Sequence, residues 1–135
     1  MCLAGASGAG AEVLAEIPSD DLRAYFVWVP MLPGDNEAAA TAAGQRFAEP
    51  RATHYWDGDR HFARHMAHAL GIESRRPAAT GDVPEFAWDV YLAYGASPKR
   101  IEQPDFWMHQ LAVNHAPRLD PEEWRRRVRE LLAAT

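Results

Sequence analysis

The chain is short of several things, and each shortage removes a class of protein. Cysteine occurs once in 135 residues, at Cys2, so no disulfide can form within the chain and a thiolate-caged zinc has too few ligands. No window approaches the ~18 consecutive apolar residues of a membrane-spanning helix. Residues 1–10 also lack the basic leader and long apolar core of a secretory signal, so the expected compartment is the cytosol and no membrane partner is expected. Positive charge is in deficit: Lys and Arg total 14 against 19 Asp and Glu, a net charge of −5, which is the wrong sign for a dedicated nucleic-acid binder. The glycines at 5, 8 and 10 are followed by no Gly-Lys-Ser/Thr ending and do not have the dinucleotide spacing. A Gly-x-Ser-x-Gly elbow is likewise absent. The text carries no cofactor motif, no internal repeat and no dividing linker, so residues 1–135 are expected to form one domain.

What is present is an ordinary globular mixture, 47% hydrophobic and 24% charged, with a readable order of elements. Leu3, Ala6, Gly10, Val13, Leu14 and Ile17 recur at helical spacing and predict a helix over 2–17. Glycine costs a helix ~1 kcal/mol relative to alanine, so Gly5, Gly8 and Gly10 imply close approach to a sheet. Residues 23–29, apolar after Arg23, read as a buried parallel strand. Asp35 offers an N-cap for an alanine-rich helix over 36–48. A strand over 52–56 follows, and Asp59 is the expected cap of a helix over ~60–70 that buries Phe62, Met66, Ala69 and Leu70 and ends at Gly71. Residues 72–85 read as a loop, 86–94 and 106–111 as two strands. Asp120-Pro121-Glu122-Glu123 starts a final helix with Trp124, Val128, Leu131 and Leu132 inward. Alternating strands and helices predict an α/β fold with parallel strands, and the two late strands an antiparallel hairpin.

Several stretches carry a resemblance. Cys2-Leu3-Ala4-Gly5-Ala6, the run from Val27 to Asp35, His54-Tyr55-Trp56-Asp57, Ala87-Trp88-Asp89-Val90-Tyr91-Leu92 and Trp107-Met108-His109-Gln110-Leu111 resemble a poorly characterised bacterial family of thioredoxin-like proteins, over roughly residues 2–111. The resemblance implies a thioredoxin-like α/β fold, a mixed sheet flanked by helices, that starts near its first helix and lacks the leading strand. It places Cys2 at the helix opening, as the second cysteine of a Cys-x-x-Cys motif whose first is absent. It also implies Pro84 as the facing proline, with a cis bond after Val83, and a groove lined by Pro84 and Trp88. A coding start lying further upstream is one expected source of the missing strand and cysteine. Unpaired sheet edges invite other chains, so a homodimer by edge pairing or strand exchange is a further expectation.

A cysteine at a helix N-terminus is favoured as the reactive thiolate. Cys2 is therefore the candidate reacting group, with an external thiol or disulfide as its partner and Pro84 and Trp88 as binding residues. The alternatives are a non-catalytic binding or scaffold domain that keeps the fold without the chemistry, or a transition-metal binder. The last rests on His61, His65 and His68, which share a helical stripe that His54 could approach. Asp57, Asp59 and Asp89 stand beside indoles or in turns and read as caps, turn residues or a paired charge. Arg125, Arg126, Arg127 and Arg129, interleaved with Glu122, Glu123 and Glu130, read as a solvated face with paired charges.

Overall fold

The small residues at the start of the chain do form a helix, with one irregular turn in it. A computed structural model, which describes residues 3–72, 86–97, 100–110 and 116–134, has α1 at Leu3–Ala6, a π-helical turn at Ser7–Ala11 and α2 at Glu12–Glu16 as consecutive segments of this first helix. A π turn closes i→i+5 bonds and holds more residues per turn, so the buried face shifts. Gly5, Ala9, Val13 and Ile17, four apart, are buried together with Leu14, whereas Leu3, Ala6 and Gly10 are only half-buried. Gly5 and Gly10 serve the close approach that their presence implies, whereas a Cβ at Gly8 would meet nothing within 4 Å. A Cβ at Gly10 would stand 2.4 Å from the Phe26 ring, and one at Gly5 1.6 Å from the Tyr91 hydroxyl.

β1 (Ala24–Trp28) and β2 (Ala52–Trp56) pair in parallel, Ala24 opposite Ala52 and Trp28 opposite Trp56. α3 (Glu37–Arg46) connects them. Its N-cap is Asn36, whose side-chain oxygen accepts from the Ala39 N–H at 2.9 Å. Asp35, the expected cap, turns back to the preceding loop instead. α4 (His61–Leu70) is capped by Asp57, which accepts from the His61 and Ala63 N–H groups at 2.8 and 2.9 Å, in place of Asp59. The helix ends at Gly71 as expected, at φ 65°. Its buried face is Ala63, Met66, Ala67 and Leu70; Phe62 is half-buried and Ala69 exposed, one step round from the expected stripe.

β3 (Val90–Ala93) and β4 (Phe106–His109) form the antiparallel hairpin, both shorter than expected. Asp89, at φ 52°, is left-handed, and a strand cannot continue through that backbone; the carboxylate thus precedes the strand instead of sitting inside it. α5 (Pro121–Ala133) has the expected Asp120 cap, which accepts from the Glu123 N–H at 2.8 Å.

The described residues thus contain four helices and two small two-stranded sheets, β1–β2 and β3–β4, where one mixed sheet was expected. Strand periodicity separates the hairpin's faces. Tyr91, Ala93, Phe106 and Met108 pack with the first helix and α5 around Trp124, while Val90, Leu92 and Trp107 pack with α4 around Met66. A third cluster, Trp28 with Ala40 and Ala43, draws Leu3 and Ala6 onto β1 and α3. The first helix therefore touches both sheets. Arg51 ties its far end to β2 by donating to the carbonyl oxygens of Leu14, Ile17 and Ser19 at 2.5, 2.7 and 3.0 Å.

Candidate functional site

The first described turn of the first helix, Leu3–Ala6, locates the site. Gly5 lies against the Tyr91 hydroxyl and Gln110 Oε1, and that hydroxyl donates to Gln110 Oε1 at 3.0 Å. Leu3 and Ala6 meet the cluster of Trp28, the last residue of β1. The turn Leu3–Ala6 thus converges with the exit of β1, the start of β3 and the end of β4 at one end of the fold.

Two aromatic groups stand there. Trp88 meets His109 edge to face, ring centroids 5.9 Å apart at 72°. His109 is only 2% exposed. Its backbone N–H donates to the Pro117 carbonyl and its carbonyl accepts from Leu119, both at 3.0 Å, while Gln110 N–H donates to the Asp89 carbonyl at 3.0 Å. The segment carrying Trp88 is fastened to α4 by the Ala87 N–H, which donates to the Ala63 carbonyl at 2.8 Å.

A cation lies beside the residues that follow β1. Arg60, directly ahead of α4, has φ 59°, a left-handed backbone that non-glycine residues seldom adopt. Its Nε donates to the Pro30 carbonyl at 3.0 Å, and its guanidinium lies 4.5 Å from the centroid of the buried Phe86 ring. The loop after Pro30 is braced by Asp35, whose Oδ2 accepts from the Leu32 and Met31 N–H groups at 3.0 and 2.8 Å. Those two bonds hold the Asp35 carboxyl below its ordinary range.

Of the residues singled out from sequence, Trp88 is placed at this end, and Cys2 and Pro84 lie outside the described residues. The histidines do not converge. His61, His65 and His68 are exposed, and His65 Nε2 contacts Glu102 Oε1 at 2.9 Å. His54 is taken up elsewhere: it stacks on Phe26 with centroids 4.7 Å apart, and its Nδ1 accepts from Trp28 Nε1 at 3.2 Å. Among the described residues no group of three His, Cys, Asp or Glu is placed to hold a metal ion. None of the described helices is long and apolar enough to cross a membrane.

Sequence reasoning missed His109, Gln110 and Arg60. A histidine directly after the apolar run Phe106-Trp107-Met108 was a usable signal for the first. Nothing local marked Arg60, because its backbone conformation and its two distant contacts are tertiary. No family model, curated protein or solved structure matches the chain.

Proposed function

We propose that this chain is a thiol-based redox or thiol-binding domain of thioredoxin type, with Cys2 as the reacting group and Pro84 and Trp88 lining its groove. The observation that carries the reading is the position of the turn Leu3–Ala6. α1 is described from Leu3 onward, and this turn packs at the end of the fold where Trp88 and His109 meet. The order of elements agrees with the resemblance: a helix, a strand, a second helix, a strand parallel to the first, a third helix, a hairpin and a closing helix. The positive end of a helix stabilises a nearby thiolate, and that is the chemistry a lone cysteine needs.

In the proposed reaction the Cys2 thiolate attacks one sulfur of an external disulfide. The S–S bond breaks, the departing thiolate leaves with the electron pair and takes up a proton, and Cys2 is left in a mixed disulfide. A second external thiol, deprotonated, attacks that mixed disulfide, forming a new external disulfide and returning the Cys2 thiolate. The two electrons come from external thiols, as a single-cysteine chain requires.

Alkylation of the full chain with iodoacetamide across pH tests this. The expected rate profile has its midpoint below the ~8.5 of an unperturbed cysteine, and Cys2→Ser abolishes disulfide exchange. A profile centred at ~8.5, or biological activity that survives Cys2→Ser, would leave a binding domain without thiol chemistry.

A further inference from the structure

His54 stands in the middle of β2, opposite Phe26 of β1. Its ring is enclosed by flat or small neighbours. Phe26 stacks on it with centroids 4.7 Å apart, and the Trp28 ring lies nearly parallel to it at 6.0 Å. From α3, a Cβ at Gly44 would come within 3.2 Å of the imidazole. Its two nitrogens are unlike each other. Nδ1 accepts from Trp28 Nε1 at 3.2 Å, and Nε2 is buried with no hydrogen-bond partner among the described residues.

An indole nitrogen only donates, so this bond fixes where the imidazole carries its hydrogen. Nδ1 keeps a lone pair for Trp28, and the neutral ring holds its proton on Nε2. A second proton can go only to Nδ1, where it would face the Trp28 N–H. An imidazolium has two donors and no acceptor, so the bond to Trp28 cannot survive its formation. The described residues packed on the ring from β1 and α3, Phe26, Trp28 and Gly44, are all uncharged. Glu37 and Arg46, at the ends of α3, are exposed, and Glu49 and Arg51 ahead of β2 pair with each other at 3.0 Å. None of these four makes a polar contact with His54 among the described residues.

What the bond holds is a joint between elements. Trp28 is only 6% exposed, and it packs with Ala40 and Ala43 of α3 and with Leu3 and Ala6 of the first helix. A buried indole N–H deprived of its acceptor costs free energy until it finds another, and moving towards water supplies one. We propose that His54 is a proton-sensitive latch, in which one proton taken up at Nδ1 releases the Trp28 indole and loosens the turn Leu3–Ala6 from β1 and α3. Imidazole suits that role because its charge changes between about pH 5 and 8. The latch is independent of thiol chemistry at Cys2.

Nitrogen-15 NMR of the full chain tests this, because the five tryptophans give separate indole signals and the imidazole nitrogens report the tautomer. At pH ~8 the His54 ring is expected to be neutral with its proton on Nε2. As the pH falls to ~5, the Trp28 indole signal is expected to move with the same midpoint as the His54 ring. Protection of that indole proton, measured against an unfolded reference at each pH, is expected to fall about tenfold. His54→Gln and His54→Phe carry no titrating group, the second keeping a ring against Phe26 and Gly44, and in either the Trp28 signal is expected to stay put. A His54 proton on Nδ1 at pH ~8 overturns the latch. So does a Trp28 signal that holds still between pH ~8 and ~5, moves with a different midpoint, or titrates equally in a folded variant.

Discussion

Tyr94, just past β3, donates its hydroxyl to the Ile101 carbonyl at 2.6 Å. Burial, with the negative charge of Glu102 added, pushes this phenol up to about 12. A free tyrosine titrates at ~10, so the folded state disfavours the phenolate. The stability this group contributes is therefore whole below pH ~10 and is lost as the pH rises through about 12. Absorbance at alkaline pH is expected to show one phenol ionising near 12, and Tyr94→Phe to remove that step and flatten the alkaline loss of stability. A Tyr94-dependent step near 10 would contradict it. At this same scale the glycines were legible and the cation was not. Glycines inside an apolar helical pattern have few explanations besides close approach, and Gly5 and Gly10 meet a hydroxyl and a ring as expected. Arg60 stands among ordinary turn residues, and only the folded chain shows what its side chain touches.

Among the elements, β2 spans the residues expected, and α5 has the expected cap and buries Trp124 and Val128. Strong local signals account for both: a β-rich pentapeptide between breakers, and an Asp-Pro-Glu-Glu start. The misses were caps and phases. At the starts of α3 and α4 the cap is a different nearby residue from the one expected, Asn36 for Asp35 and Asp57 for Asp59, and the backbone path through the turn decided between them. The π turn moved the buried face of the first helix, and the left-handed Asp89 cut the β3 strand short. Charge pairing was partly tertiary as well. Arg126 and Arg127 pair along α5 with Glu123 and Glu130, but Arg125 reaches Glu16 of the first helix at 3.1 Å. The cap of α4 gives a direct comparison. Asp57 accepts two backbone N–H groups there, whereas the Asp59 contact to Arg64 is made by its carbonyl. Asp57→Ala is expected to cost about 1–2 kcal/mol, and Asp59→Ala to stay within about 0.5 kcal/mol of wild type. Urea titrations of the two variants measure the difference, and equal midpoints would count against the assignment of the cap.

For the molecule as a whole, two small sheets need something to make them unfold together, and the first helix with α5 supplies it. Trp124 is the joint. Its Nε1 donates to the Ala9 carbonyl at 2.8 Å, and its ring meets Phe106 at 4.8 Å and Tyr91 at 6.1 Å. One side chain thus fastens α5 to the helix that touches both sheets and to the hairpin itself. Neither the separation of the sheets nor this joint was legible in sequence, because periodicity reports which face is buried and not what it is buried against. Trp124→Ala removes a large buried ring and leaves a cavity, with an expected cost of about 3–5 kcal/mol. Trp124→Phe keeps most of the apolar volume but loses the bond from Nε1 to the Ala9 carbonyl, and is expected to cost about 1–3 kcal/mol. The joint also makes a claim about cooperativity. In Trp124→Phe, amide-exchange protection of Ala24–Trp28 is expected to fall with that of Val90–Ala93 by a similar free energy, although, among the described residues, the ring contacts of Trp124 to a sheet are all to the hairpin. If protection falls in the hairpin and holds in β1, the two sheets unfold as separate units and the first helix does not couple them.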